Sequence, residues 1–233
     1  MSGDFRFKKF TIQQDRCAMK VTEIACIFGA WIPVHKNDQR ILDIGSGTGL
    51  LGLMIAQRCN ARVDMVEMNS AAVQQCRENI DASPFHERIR VYEMDICKYV
   101  SLAPYDLIVC NPPFFENQLV SNQAEKNMAW HSSHLTLEEL AFQVNRLAND
   151  RSRMAILLPK DRMNEWETLM IKDQWHCERE LHIRHSDQHP FKYVVAIYQK
   201  QTTIREIFQM TIREKQEYCP EIKTLLSDYY LKF

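Results

Sequence analysis

The feature that most constrains the fold is a regular alternation of short apolar runs with amphipathic segments. Apolar runs of strand length, bounded by turn residues, lie near 40–44, 62–67, 89–94, 105–110 and 153–158. Helical periodicity is found near 49–58, 70–80, 136–148 and 162–173, and two late strands are predicted near 178–185 and 192–199. Strands that alternate with helices predict an α/β fold, with a mostly parallel sheet and helices on both faces.

Length and composition fit a single domain. At 233 residues with 45% hydrophobic content, the chain can bury a complete α/β core. We expect an N-terminal cover over residues 1–36 and a catalytic core over residues 37–200. Residues 201–233 should add a strand near 206–213 and a helix near 220–230.

A glycine-rich turn follows the first strand of the core. Glycines let the backbone approach a ligand closely, and the N-terminus of the next helix supplies free N–H groups. The spacing Gly47-x-Gly49-x-x-Gly52 also fits the dinucleotide-binding fingerprint. The fuller pattern Asp43-x-Gly45-x-Gly47-x-Gly49 is typical of S-adenosylmethionine (AdoMet) enzymes, with a strand-end carboxylate that can face an ammonium group. We therefore predict AdoMet here, rather than a nicotinamide cofactor.

Carboxylates also mark the ends of the next two strands. Glu67 closes the second strand and can accept hydrogen bonds from ribose hydroxyls, whereas Asp95 closes the third and can accept one from an adenine amine. Carboxylates at strand ends also cap helices, and for Asp95 that alternative is open. Because ligands of open α/β sheets bind outside the carboxyl ends of the strands, we expect both acids in the cofactor site.

The fourth strand is followed by Asn111, Pro112, Pro113 and Phe114. The prolines stiffen the backbone at the strand end. Asn111 Oδ1 and the Pro112 carbonyl can each accept a hydrogen bond from an exocyclic NH2, while Phe114 can stack on a planar ring. The alternative is a proline-stiffened loop without a ligand. The set favours chemistry on a planar amine, with Asn111 also bordering the cofactor.

These motifs resemble those of class I AdoMet-dependent methyltransferases that carry an Asn-Pro-Pro-aromatic motif. Within that class, the chain is similar to the tRNA1(Val) adenine-37 N6-methyltransferase family. The similarity extends to residues 10–21, to 29–31 and to the ending, with 212–213, Tyr218 and 229–233. It therefore covers nearly the whole chain.

The chain departs from the family pattern in two places. Thr22-Glu23-Ile24-Ala25 stands where the family usually reads Gly-Thr-Asp-Gly, in a segment expected to wall the cofactor pocket. Trp130 stands where the family favours arginine, so a contact with substrate phosphate is either missing there or replaced by stacking.

The resemblance implies a Rossmann-like class I methyltransferase fold, with a mostly parallel seven-stranded sheet and an antiparallel edge formed by the last two core strands. It also implies AdoMet as the cofactor and N6-methylation of adenine 37 in the anticodon loop of a valine tRNA. Asn111, Pro112 and Phe114 would be catalytic, because they would hold the target nitrogen in line with the methyl group.

The charge balance gives no global signature of RNA binding, since the formal net charge is -1 at pH 7. RNA binding then requires a local basic patch, and residues 1–20, 146–162 and 182–192 can each provide one or be solvated surface. The third stretch adjoins the late strands. The candidate substrate contacts are Lys20, Phe115, Arg184, His189 and Lys192. The long polar stretch at 113–134 is predicted to form a mobile substrate lid.

Neither the cysteines nor the N-terminus indicates a metal site or a membrane. The eight cysteines include no Cys-x-x-Cys pair, and buried thiols at Cys26, Cys76 and Cys110 are expected. The first residues lack the apolar core of a signal peptide, and no run approaches the ~18 apolar residues of a membrane span. We expect a cytoplasmic monomer that binds tRNA and uses no metal.

Two other functions remain open from the sequence. A protein glutamine amide or guanine N2 is also a planar NH2 group that would fit the Asn-Pro-Pro-Phe site. The chain could instead be a noncatalytic module that binds AdoMet or RNA, although intact Asn111 and the strand-end acids favour an enzyme.

Overall fold

The computed structural model describes residues 3–17, 19–112 and 135–233. The predictions for Pro113, Phe114, Phe115 and Trp130, and for a lid over 113–134, lie outside the described residues.

The described elements alternate much as the periodicity predicts. The strands are β1 (Phe5–Arg6), β2 (Thr11–Ile12), β3 (Arg40–Ile44), β4 (Arg62–Glu67), β5 (Ile89–Glu93), β6 (Leu107–Cys110), β7 (Arg153–Pro159), β8 (His176–Arg184), β9 (Tyr193–Gln199), β10 (Glu206–Thr211), β11 (Arg213–Glu214) and β12 (Glu217–Tyr218). The helices are α1 (Glu23–Trp31), α2 (Leu50–Ala56), α3 (Ser70–Asp81), α4 (Leu137–Leu147), α5 (Met163–Lys172) and α6 (Pro220–Leu226).

One sheet of eight strands organises the fold, in the order β10-β8-β9-β7-β6-β3-β4-β5. Strands β3 to β7 pair in parallel, and β9 runs antiparallel to both β7 and β8. The predicted fold class is confirmed, but the sheet has eight strands rather than seven. The tail strand β10 pairs in parallel with β8 and forms the outer edge in place of the β8–β9 hairpin.

Apolar side chains pack on both faces of the sheet, because successive residues of a strand point to opposite sides. Ile41 lies in a core with residues of α1, α2, α3 and α6. Leu42 lies in a second core with residues of α4 and α5, including Val144 and Trp166. Helices therefore cover both faces, as predicted.

The segment that departs from the family pattern begins helix α1. Thr22 is its N-cap, and Thr22 Oγ1 accepts a hydrogen bond of 3.2 Å from the Ala25 N–H. The Glu23 carboxylate forms an ion pair with Arg213 and accepts a hydrogen bond from the Tyr218 hydroxyl. These residues thus join α1 to the β11–β12 hairpin.

Two arginines of the 146–162 basic stretch, the buried Arg153 and the exposed Arg146, are bonded to other groups of the protein. The Arg153 guanidinium contacts both Asp38 oxygens, at 2.6 and 2.7 Å, and donates to the Pro33 carbonyl at 2.5 Å. Arg146 Nη2 donates to the Tyr99 carbonyl at 2.7 Å. Because these groups are already paired within the protein, this stretch is a poorer candidate for an RNA-binding patch than the charge count suggests.

The expected thiol burial is confirmed at Cys26, Cys76 and Cys110. Among the helices that the structure describes, none combines the length and apolar character needed to span a bilayer.

Candidate active site

The strand order reverses between β3 and β6. From β3 the chain continues to β4 and β5 on one side, and from β6 it continues to β7 on the other. Ile44 pairs with Cys110, so the glycine turn after β3 and Asn111 after β6 begin side by side. A crevice outside the carboxyl ends of the strands at such a reversal is where open α/β sheets bind ligands.

The glycine turn requires backbone conformations that favour glycine. Gly47 has a φ of 53° and Gly49 a φ of 85°. A Cβ at Gly49 would lie 2.8 Å from Cys76 Sγ, whereas a Cβ at Gly47 would meet no atom within 4 Å. The turn is therefore tightly packed at Gly49 but open beside Gly47, where a ligand can approach the backbone.

Glu67 connects this turn to the next strand. Its Oε2 accepts a hydrogen bond of 2.9 Å from the Gly47 N–H, and its Oε1 accepts one of 2.9 Å from the Asn69 N–H. Each carboxylate oxygen has a second lone pair. The side chain can therefore hold the turn and still accept hydrogen bonds from ribose hydroxyls.

Asp43 is completely buried at the end of β3. Its Oδ2 accepts a hydrogen bond of 3.1 Å from the Gly52 N–H, and its Oδ1 has no hydrogen-bond partner in the described part of the chain. The pKa of the Asp43 carboxyl is raised to about 7, mainly by burial; the Gly52 hydrogen bond lowers it and the neighbouring Glu67 charge raises it by a smaller amount. A cation in the crevice would stabilise the carboxylate.

Asp95 lies just beyond the end of β5 and is half-buried. Its Oδ1 accepts a hydrogen bond of 2.9 Å from the Cys97 N–H and caps the short helical turn Ile96–Lys98. The capping alternative is therefore correct. It does not exclude a contact with an adenine amine, since a carboxylate can accept several hydrogen bonds.

Asn111 presents a buried acceptor at the crevice. Its Oδ1 has no hydrogen-bond partner within the described ranges, while its Nδ2 lies 4.0 Å from Met19 Sδ. A buried carbonyl oxygen without a partner is energetically costly, and an incoming N–H donor would satisfy it. Pro112, which follows directly, is half-buried.

The donor set fits AdoMet. The buried Asp43 oxygen can face the ammonium group of AdoMet, the opening beside Gly47 can admit the cofactor, and Glu67 and Asp95 offer acceptors for the ribose and adenine.

Two exposed methionines that the sequence did not point to, Met68 and Met94, lie next to these acids in the chain, with 55% and 37% of their surface exposed. The sequence pattern that points to Met68 and Met94 is an apolar residue directly beside each strand-end acid.

Three predicted substrate contacts lie at the same edge of the sheet. Pro159 pairs with Tyr193, so the loop joining β8 to β9 stands beside the carboxyl end of β7. This loop carries His189 and Lys192 and begins after Arg184. Lys20 instead lies on the N-terminal segment, where its Nζ donates to the Gln14 carbonyl.

Arg184 and Lys192 each approach an aromatic ring. The Arg184 guanidinium carbon lies 4.9 Å from the Phe191 ring centroid, and Lys192 Nζ lies 5.6 Å from that of Tyr193. Arg184 also donates to Thr211 Oγ1 at 2.9 Å and pairs with Asp187. His189 Nδ1 lies 2.7 Å from Ser186 Oγ. The loop thus combines cations with aromatic faces.

Comparison with known proteins identifies the family of the chain. The methyltransferase small domain family matches residues 28–152. A tRNA1(Val) (adenine(37)-N6)-methyltransferase from Dyadobacter fermentans is 40% identical over 238 residues, spanning 100% of this chain and 99% of the relative. A protein of the same name from Trichodesmium erythraeum is 36% identical over 240 residues, with 100% of both chains covered.

Solved structures share the fold at low sequence identity. A predicted O-methyltransferase from Agrobacterium tumefaciens superposes with a TM-score of 0.69 at 14% identity, covering 88% of this chain and 95% of that one. A TehB-like AdoMet-dependent methyltransferase from Corynebacterium glutamicum gives a TM-score of 0.50 at 17% identity, covering 79% and 90%.

Proposed function

The chain belongs to the tRNA1(Val) (adenine(37)-N6)-methyltransferase family, and we propose that it methylates N6 of adenine 37 in the anticodon loop of a valine tRNA. It is an AdoMet-dependent tRNA (adenine-N6)-methyltransferase. A tRNA substrate agrees with the cytoplasmic location expected from the sequence. The observation that carries the proposal for the site is the buried Asn111 Oδ1 beside the glycine turn, which has no hydrogen-bond partner among the residues that the structure describes.

Recognition of the target amine rests on two acceptors at the end of β6. Asn111 Oδ1 and the Pro112 carbonyl would each accept one proton of the N6 amine. An adenine amine is a poor nucleophile because its lone pair is delocalised into the ring. Two hydrogen bonds from its protons favour a more localised lone pair, aimed into the crevice.

Positioning supplies most of the rate in this scheme. AdoMet, when bound, supplies an activated methyl group on its sulfonium. Glu67 and Asp95 would hold the cofactor along the strand ends, and Asp43 would hold its ammonium group. Ideal alignment of two reactants is worth ~7–11 kcal/mol of barrier. The proton released from N6 can leave to water or by way of Asn111.

The tRNA backbone would lie along the edge formed by Arg184, His189 and Lys192. The carboxyl end of β8 is three strands from β6 in the sheet, which corresponds to about 14 Å at the usual strand spacing. Phosphates next to a flipped adenine would fall near these cations. A loop adenine is cheaper to flip than a paired one, and the sequence proposes Phe114 as its stacking partner.

The test is methyl transfer from AdoMet to transcribed valine tRNA, followed by nuclease digestion and mass spectrometry of the fragments. We expect one added methyl group on N6 of adenine 37. Asn111→Ala should reduce turnover by at least about 100-fold. Its AdoMet affinity should change little, because the amide acts on the target nitrogen.

Other outcomes would select among the alternatives. Methylation of guanine N2 or of a protein glutamine would reject the substrate but retain the methyltransferase. Near-normal turnover by Asn111→Ala would remove this residue from the mechanism. AdoMet binding without transfer to any RNA or protein would indicate a binding module.

Salt dependence tests the RNA-binding edge separately. The affinity for tRNA should fall steeply with salt concentration, because each neutralised phosphate releases counterions. Replacing Lys192 by Ala should weaken binding and reduce the slope of log K against log salt by about 0.7–0.9. Lys172→Ala, at the end of α5, provides the control. Equal slopes for the two variants would exclude Lys192 from the interface.

A further inference from the structure

An N-terminal segment lies across the candidate active site. We call residues 13–17 and 19–21 the strap. At one end the strap contacts helix α3, and at the other end Met19 Sδ lies 4.0 Å from Asn111 Nδ2. The strap therefore reaches from α3 to the end of β6 and passes the carboxyl edge at which the cofactor site opens.

Asn79 joins the strap to the glycine turn. Its side chain is almost fully buried, at 2% exposure. Its Oδ1 accepts from the Gln13 N–H at 2.8 Å, and its Nδ2 donates to the Gln13 carbonyl at 3.0 Å and to the Thr48 carbonyl at 2.9 Å. One amide thus binds a strap residue on both of its backbone groups and also binds the turn.

Gln75 makes a second junction one helical turn earlier. It is completely buried, its Oε1 accepts from the Arg16 N–H at 2.8 Å, and its Nε2 donates to Asp15 Oδ1 at 2.8 Å. Residues four apart share one face of a helix. The Gln75 hydrogen bond is the main reason that the pKa of Asp15 lies below its ordinary value.

These amides do more than pack helix α3 against the sheet. A buried amide is costly unless its polar atoms are paired, and an apolar side chain would fill the same space without that cost. Within the described residues, the hydrogen-bond partners of both side chains are strap residues or Thr48 of the glycine turn. Asn79 therefore holds the strap and the glycine turn together, and Gln75 holds the strap on helix α3.

We propose that Gln75 and Asn79 are positioning residues that set AdoMet affinity by holding the strap on helix α3 and beside the glycine turn. The proposal rests on the AdoMet site described above. A ligand that needs the held arrangement binds more weakly in proportion to the fraction of molecules that lack it. Loss of either amide should therefore weaken AdoMet binding while sparing the methyl-transfer step in the bound complex.

The experiment compares Gln75→Leu and Asn79→Leu with the control Gln74→Leu. Gln74 is the neighbouring glutamine on the same helix, and its side chain is exposed. AdoMet affinity is measured by calorimetry, and kcat and KM are measured for AdoMet and for tRNA. Trypsin cleavage after Arg16 and Lys20, with and without AdoMet, reports whether the strap is held.

We expect AdoMet binding to be about tenfold weaker in both test variants, which corresponds to a strap that is held in place in about one molecule in ten. KM for AdoMet should rise by the same factor, kcat at saturating AdoMet should stay within about threefold of that of the unmodified protein, and strap cleavage should be faster.

Asp15→Ala provides a second test if a core variant does not fold, because the Asp15 side chain is 62% exposed. It should weaken AdoMet binding by about threefold, as expected for the loss of one hydrogen bond.

The inference fails if Gln75→Leu, Asn79→Leu and Asp15→Ala match Gln74→Leu in AdoMet affinity and in cleavage rate. It also fails if affinity falls without faster cleavage, since the amides would then act on the cofactor by another route. If the unmodified protein shows no AdoMet affinity, the cofactor site itself is wrong.

Discussion

At the residue scale, folding and cofactor binding favour opposite charge states of the Asp43 carboxyl. Burial disfavours the charged form of this carboxyl, one oxygen of which has no partner in the described part of the chain, and the pKa is accordingly raised to about 7. A bound cation would favour the charged form. The side chain is therefore better suited to the complex than to the cofactor-free protein.

This opposition predicts a pH dependence of AdoMet binding. Because the pKa is raised in the free protein, Asp43 is neutral below pH about 7 and must lose a proton when the cation binds. Affinity should then fall by up to about tenfold for each pH unit below that value. Calorimetry between pH about 5.5 and about 8.5 measures the slope, and Asp43→Asn should flatten it. A flat profile in the unmodified protein would contradict the role of Asp43.

At the element scale, Glu67 connects strand β4, the glycine turn and helix α3. It ends β4, and its two oxygens accept from the glycine turn and from Asn69, the N-cap of α3. The same carboxylate thus stabilises the turn and is free to accept from a ribose. Removing it should disturb both functions at once.

Glu67→Ala should weaken AdoMet binding by ~1–3 kcal/mol, the cost of losing hydrogen bonds to a charged acceptor. Glu93→Ala is the matched control, because Glu93 is the register partner of Glu67 on the adjacent strand β5. Titration of both variants with AdoMet gives the comparison. If both lose the same affinity, the effect is general electrostatics rather than the contacts of Glu67.

At the scale of the whole molecule, a buried ion pair joins distant parts of the chain away from the active edge. Arg153 begins β7, and its partner Asp38 precedes β3; both side chains are at most 7% exposed. A buried pair stabilises a fold only weakly relative to apolar residues, but the loss of one partner leaves an uncompensated charge.

Asp38→Ala should therefore lower the free energy of unfolding by ~3–5 kcal/mol. Glu165→Ala breaks the exposed pair with Arg162 and should cost at most ~1 kcal/mol. Denaturant unfolding of the cofactor-free protein measures both values. The AdoMet affinity of folded Asp38→Ala should be unchanged. A similar loss of stability in the two variants would show that the buried Arg153–Asp38 pair contributes no more to stability than an exposed pair.

The sequence by itself predicted the strands and helices of the α/β core and the order of the polar strand ends, but not the short strands β1, β2, β11 and β12. Strand bounds at β3 and β4 were predicted to the residue, because a buried parallel strand is a short apolar run with turn residues on both sides. The parallel arrangement then brings Glu67, Asp95 and Asn111 to one edge. These inferences needed only local periodicity and the rules of α/β folds.

Only the tertiary structure decided which distant groups meet. The parallel pairing of β10 with β8, the burial of Arg153 on Asp38 and the contact of Asn79 with Gln13 join residues that are far apart in the chain. No local pattern encodes such partners, since an exposed and a buried arginine look alike in a sequence. Their energies depend on dehydration and on geometry, which exist only once the chain has folded.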